Sequence, residues 1–275
     1  MTDGTPARLV RAMTDDQFIR MATIEATPLW DGVRRGHPHL EAEACACLTE
    51  LLAATALLQS RSGFAERLQL LVKGAGRARA VVTDSWPDGT LRGVLDLKEP
   101  DPGGAWIQDP GAFQVMRSNP DGQPYIGTLP MVEGGIGTQV EAYLQQSEQV
   151  NASITLWCDP ASGDSGGLLV EPLPGCPPER LALLVQALDG LEVVPAWERT
   201  PEFLMDWINQ GPGAEILSAA DLDYRCRCTR EGLLNTLQAF PLEQKRGLFE
   251  EDEVLQVRCD YCGKLYPITK AELLP

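Results

Sequence analysis

Two cysteine pairs near the C-terminal end, Cys226-Arg227-Cys228 and Cys259-Asp260-Tyr261-Cys262-Gly263, carry the chemistry most legible in this sequence. Four thiolates are the donor set of a closed tetrahedral zinc site, with Zn–S distances of about 2.3 Å. The spacing predicts one zinc ion held by Cys226, Cys228, Cys259 and Cys262. In the second pair, two intervening residues let the backbone turn tightly, and Gly263 can supply a positive φ while nearby N–H groups donate to sulfur. Residues two apart in an extended chain have Cα atoms about 6.6 Å apart, near the upper limit for a disulfide. Cys226–Cys228 can therefore form only as a strained local bridge, and Cys259–Cys262 forms more easily. An oxidant that made both bonds would dismantle the zinc shell. The same spacing also suits a purely structural zinc module, since it shows a metal site and not its purpose.

The elements that must position these sulfurs can be read around them. Thr229 is placed to cap a helix through Leu233, Leu234 and Leu237, and 241–249 reads as another helix. Strands are expected at 254–259 and 264–268, flanking the second pair, and Thr269-Lys270-Ala271-Glu272 fits a capping box opening a last short helix. A module of about fifty residues buries too little surface to fold securely without a staple. Zinc binding of about 10–16 kcal/mol in such modules is also folding free energy.

Upstream, 15–36 shows apolar residues at roughly helical spacing, and 41–60 shows a clearer helical stripe of Cys47, Leu48, Leu51, Leu52 and Leu58, with Thr55 its one polar member. Short segments at 68–73, 78–83, 91–97, 113–117, 125–129, 153–158 and 167–170 read as strands, interrupted by a helix at 136–149. Pro172, Pro174, Gly175, Pro177 and Pro178 mark a boundary. Beyond it, 179–188 reads as a helix, and a second begins with Thr200 as N-cap and Pro201 at the first helical position, ending at Gly211-Pro212-Gly213. The fold class is α+β: an N-terminal mixed strand and helix core (1–176), a helical linker (177–223) and a small C-terminal zinc-binding module (224–275). The linker is too apolar to be a solvated spacer, and its short helices need a neighbouring domain to dock on.

The totals bound the function. Apolar content of 44% and charged content of 23% describe a folded globular chain. A formal net charge of −16 opposes binding to phosphate backbones, so no nucleic-acid partner is expected. The opening residues lack the apolar stretch of a signal peptide, and the apolar run 51–58 is far shorter than the roughly 20 residues a bilayer requires. No membrane partner and a cytoplasmic location are expected, and there eight cysteines are mostly reduced thiols.

The arrangement Cys226-x-Cys228-Thr-Arg-Glu, a helical interval, then Cys259-x-x-Cys262-Gly-x-x-Tyr266 resembles the C-terminal end of the 33 kDa chaperonin family, the redox-regulated heat-shock holdase (heat shock protein 33). The resemblance extends through Leu70-Leu71-Val72-Lys73-Gly74, Tyr125-Ile126-Gly127, Gln146-Ser147-Glu148-Gln149, Gly166-Gly167-Leu168-Leu169 and the linker-like Thr200-Pro201-Glu202-Phe203-Leu204. It implies an ATP-independent chaperone, not an enzyme, that is off while reduced and zinc-bound. Oxidation of the four cysteines would eject zinc, unfold the C-terminal module and loosen the linker, so that unfolding client proteins are held, commonly by a homodimer. Thr229 stands where the family usually has serine, and Glu133-Gly134-Gly135-Ile136-Gly137 lacks most of the acidic residues usual before the long helix.

Other candidates read as packing or loops. Cys45 and Cys47 lie two apart in a helix and point to different sides. Cys158 and Cys176 read as ordinary thiols, His37 and His39 as loop residues around Pro38, and Glu250-Glu251-Asp252-Glu253 as a solvated turn. Gly74-Ala75-Gly76 lacks the context of a dinucleotide site, and Asp164-Ser165-Gly166-Gly167 lacks a histidine partner for hydrolysis. Two further functional classes stand beside the oxidation-switched chaperone: a constitutive zinc-containing interaction protein, and a thiol oxidoreductase. The last is disfavoured because zinc-filled thiols are not exposed nucleophiles.

Overall fold

The computed structural model describes residues 5–118, 122–210, 213–249 and 253–274. The chain divides into two compact units, Met1–Tyr224 and Arg225–Pro275. The first runs β1 (Ala7–Thr14), β2 (Ile19–Glu25), α1 (Thr27–Gly36), α2 (Ala42–Ser60), β3 (Arg67–Gly74), β4 (Ala78–Ser85), β5 (Thr90–Leu97), β6 (Gly111–Ser118), β7 (Tyr125–Pro130), α3 (Ile136–Ser147), β8 (Ser153–Cys158), β9 (Ser165–Pro172), α4 (Pro178–Gly190), α5 (Pro201–Asn209) and β10 (Ala214–Tyr224). The strands form one sheet in the order β7-β6-β3-β4-β5-β10-β1-β2-β9-β8. Its halves meet where β10 pairs in parallel with β5, at Asp223↔Thr90 and Tyr224↔Leu91.

Part of this sheet is apolar on both faces, and that explains where helical spacing misleads. In β2, Ala22 and Ile24 enter a core built on α2, while Ile19 and Met21 enter a second core against α4 and α5. A strand buried on both faces carries apolar residues at odd and even positions, so Phe18, Met21 and Ile24 imitate a helical period. The stretch 15–36 is accordingly a strand followed by the short helix α1, which begins at Thr27-Pro28. The helical reading of 177–223 holds through Asn209, beyond which Ala214–Tyr224 is a strand paired with β1 from Ala7↔Leu222 to Thr14↔Ala214. Gln210 follows α5, and Gly211 and Pro212 lie outside the described residues, as do Glu250, Glu251 and Asp252 of the acidic run.

Helix α2 is the centre of the first core. By length and composition it could cross a membrane, but 83% of its most apolar window is buried inside the protein. Its buried threonines are satisfied internally: Thr49 Oγ donates 2.8 Å to the Cys45 carbonyl, and Thr55 Oγ donates 2.6 Å to the Leu51 carbonyl and lies 2.6 Å from Thr83 Oγ. Cys45 and Cys47 are both buried in it. At the C-terminal end of α3, Glu148 of the Gln-Ser-Glu-Gln motif accepts from Arg117 at 2.7 Å and pairs with Arg61, which also donates to Glu171 at 2.8 Å. This network ties α2, α3, β6 and β9 together.

His37 is not a solvated loop residue. It is 1% exposed, with Nε2 3.0 Å from the Gly93 carbonyl and 2.9 Å from the Tyr224 hydroxyl. The Tyr224 ring fills the space beside Gly32, where an added Cβ would lie 2.4 Å from the tyrosine Cβ.

On the opposite face of the sheet, α4 and α5 bury Leu184, Ala187, Leu204, Met205 and Ile208 against β1, β2 and β9, with Leu191 just after α4 joining them. Thr200 caps α5 by accepting from the Phe203 N–H at 3.2 Å. Arg180, 8% exposed, donates 3.0 Å to Asp16 and 2.9 Å to the Asn209 carbonyl, joining both helices to the turn after β1.

Candidate metal centre

The second unit comprises α6 (Arg230–Gln238), α7 (Leu242–Gly247), β11 (Val254–Arg258), β12 (Leu265–Thr269) and α8 (Lys270–Leu273). Strands β11 and β12 pair antiparallel from Val254↔Thr269 to Arg258↔Leu265, and Cys259 and Cys262 occupy the turn between them. The turn is closed by Cys259 N–H to the Lys264 carbonyl at 2.9 Å and Gly263 N–H to the Cys259 carbonyl at 2.8 Å. Gly263 has φ +68°, as the tight reversal requires. Cys226 and Cys228 lie on the extended segment before α6, which Thr229 caps by accepting from the Gly232 N–H at 3.0 Å.

These two segments bring all four sulfurs within 4.8 Å of one another. Cys226 Sγ lies 3.7 Å from Cys259 Sγ, and Cys228 Sγ lies 3.5 Å from Cys262 Sγ. A tetrahedron with 2.3 Å metal–sulfur bonds has sulfur–sulfur edges of about 3.8 Å, so the cluster has the size and donor type that zinc fits. Burial pushes the Cys226 and Cys259 thiols up to about 11, and pushes Cys262 up as well. On Cys228 burial also acts upward, but the Tyr266 hydroxyl and the neighbouring sulfurs outweigh it and draw this thiol down. A bound cation would favour the ionised form of all four.

Sequence reasoning placed Tyr266 in the family-like motif but missed its contact with Cys228. Its hydroxyl lies 3.2 Å from both the sulfur and the carbonyl oxygen of Cys228, so it can donate to a thiolate there. Strand alternation could have found it, because Tyr266 and Ile268 are the two buried side chains of β12. The capping box is present as expected, and Arg230 adds a bidentate pair to Glu272 at 2.7 Å, holding that carboxyl down at about 2.

The hydrophobic core of this unit is small. Phe249, Ile268 and Leu273 are buried, with Leu234, Leu237, Leu248, Leu255, Val257 and Leu274 partly buried around them.

The sequence model of the Hsp33 protein family matches residues 7–269, across both units and all four clustered cysteines. The chain belongs to the Hsp33 family. Within the Hsp33 family, it is 30% identical to the 33 kDa chaperonin of Acaryochloris marina, covering 97% of this chain and 95% of that protein. It is 28% identical to the 33 kDa chaperonin of Deinococcus radiodurans, covering 96% of each. A crystal structure of the 33 kDa chaperonin (heat shock protein 33 homolog) from Thermotoga maritima has a similar fold, with a TM-score of 0.79 at 21% identity over 98% of this chain and 97% of that one.

Proposed function

We propose that this chain is a redox-regulated, ATP-independent holdase, a chaperone rather than an enzyme, that binds unfolded or partially folded proteins after oxidation of a four-cysteine zinc site. The observation that carries this reading is the convergence of four sulfurs in a unit whose hydrophobic core, among the described residues, has three buried side chains. So small a core cannot offset the entropy of ordering some fifty residues. Zinc held by Cys226, Cys228, Cys259 and Cys262 supplies a cross-link between the two cysteine segments and neutralises thiolate charge.

In the switch, the thiolates of Cys226 and Cys228 give up two electrons and form one S–S bond, and Cys259 and Cys262 do the same. Each bond consumes one hydrogen peroxide, whose O–O bond breaks and which leaves as two waters after taking up two protons. The sulfurs are then bonded to sequence neighbours, and the two segments lose their common anchor. Residues 224–275 thus act as the redox switch, 177–223 as a metastable linker and 1–176 as the client-binding and dimerisation domain.

Loosening the linker would free the apolar residues of α4 and α5 together with Ile19, Met21, Leu168 and Val170 beneath them. The oxidised form works as a homodimer, and the net charge of −16 keeps that opened form soluble and away from nucleic acid. A cytoplasmic location supplies the reducing baseline from which stress departs.

The test follows aggregation of a thermally unfolding client alongside zinc release to a chromogenic chelator. Reduced, zinc-loaded protein is expected to leave aggregation unchanged, and peroxide-treated protein to suppress it while releasing one equivalent of zinc. Equal suppression with and without peroxide would overturn the switch and favour a constitutive zinc-containing interaction protein.

A further inference from the structure

A cleft of about 460 Å³ opens in the first unit between α2, the segment before β6 and the start of α3, lined by Cys47, Glu50, Trp106, Ile107, Gly135 and Ile136 among others. Its size falls in the range of sites that hold a ligand side chain or small molecule. The walls are largely apolar: Ile136 is buried, and Trp106 and Ile107 are partly buried. Glu43, an exposed residue, also lines it, and no Lys or Arg is among its described lining residues.

Glu50 is the anomaly of this cleft. It lies partly buried on the apolar helix α2, and among the described residues no hydrogen bond or ion pair is formed by its carboxylate. Burial pushes it up to about 7, the cost of a desolvated charge without a partner. Its neighbour Cys47 is pushed up to about 12 by burial, and so is Cys158, so these thiols stay neutral and leave Glu50 the group there whose charge a cationic partner would stabilise. The other polar feature is the first turn of α3, whose N-cap Gly135 has no side chain with which to cap it. Uncapped N–H groups at a helix start can donate to a carbonyl oxygen.

We propose that this cleft receives one short extended segment of a non-native polypeptide, a Lys or Arg pairing with Glu50 while an adjacent apolar side chain packs on Ile136, Ile107 and Trp106. Charge complementarity selects this occupant: a carboxylate without a counter-ion, a second carboxylate in the lining, apolar walls, and backbone donors for the peptide carbonyl. The inference rests on the client-holding reading and gives it a chemical preference, for basic-apolar segments over acidic ones.

The test uses full-length protein, reduced and peroxide-treated, and two fluorescein-labelled ten-residue peptides that differ only in a central Arg flanked by Leu or the uncharged isostere citrulline there. Fluorescence anisotropy should give the Arg peptide about tenfold tighter binding, the factor of one charge-assisted hydrogen bond. Glu50→Gln should abolish that difference, and Glu43→Arg, at an exposed position where folding is not at stake, should reduce it. Equal affinity for the two peptides, or a preference that survives Glu50→Gln, overturns the proposal. Binding of benzylammonium at Glu50 with no peptide binding also overturns it, assigning the cleft to small cations. If the charge preference is present while client aggregation is never suppressed, the cleft stands and the chaperone reading falls. If suppression is present without the preference, the reverse holds.

Discussion

The phenolic oxygen of Tyr266 lies 3.2 Å from the sulfur of Cys228, and with the neighbouring sulfurs it outweighs burial there, so that Cys228 is the one clustered thiol drawn down rather than up. Groups that hydrogen-bond to a metal ligand typically contribute 10- to 100-fold in metal affinity. Tyr266→Phe is expected to weaken zinc binding by about tenfold, measured by competition with a chromogenic chelator. Unchanged affinity would show that this contact does not orient the sulfur.

Removing the metal should act locally. Chelation, or Cys259→Ser, is expected to abolish hydrogen-exchange protection across β11, β12 and α8, because Phe249, Ile268 and Leu273 alone do not hold that unit together. Protection in α2 and β3 should persist. A second unit that stays protected without zinc would contradict the proposed switch.

Arg180 is the polar fastening of the linker helices. Arg180→Ala removes the guanidinium that donates to Asp16 and to the Asn209 carbonyl and is expected to cost about 1–3 kcal/mol. Limited proteolysis should then cut first within 178–209. A cleavage pattern identical to that of the unaltered protein would remove Arg180 from this role.

Acid should weaken the first unit through paired carboxylates. Burial acts upward on Asp16 and Glu148, but Thr14, Phe18 and Arg180 outweigh it on the first, and Arg61 and Arg117 on the second, so both are depressed. Their contribution is present in full above the unfolded carboxylate range near about pH 4.5 and is lost as pH falls through the depressed folded values. Denaturant midpoints should fall below that range, and Glu148→Gln should flatten the dependence.

Glu50 has the opposite sign. A carboxyl raised to about 7 by burial destabilises the fold increasingly as pH rises from the unfolded value toward and past 7. Glu50→Gln should therefore stabilise the protein by about 1–2 kcal/mol at pH 8, allowing for the solvent that still reaches it, and by nothing near pH 4. Stabilisation equal at both values would mean that packing, not charge, is responsible.

The four-cysteine cluster was legible because Cys-x-Cys and Cys-x-x-Cys-Gly are local patterns with local geometric consequences. Helix α2 and the strands from β3 to β9 were legible for the same reason, through apolar stripes and turn residues. The missing elements depend on long-range pairing. Strand β1 and its partner β10 are separated by most of the first unit, and neither carries a turn signal that announces the other. His37 and Tyr224, at the two ends of that unit, meet only because the sheet closes between them. Tyr266 could be seen to alternate with Ile268, but its approach to Cys228 requires the hairpin to be folded against the first cysteine segment.

The segment holding α4 and α5 is bounded by β9 and β10, strands of one sheet with only β2 and β1 between them. At about 4.8 Å per strand spacing, its ends are pinned roughly 14 Å apart. A stretch moored at both ends can lift away without being lost to solution, like a bight of rope between two cleats, and its high local concentration brings it back once the disturbance passes. Once the disulfides are reduced and zinc has returned, redocking of this segment calls for no encounter between separate molecules, so the rate of that step should not depend on dilution.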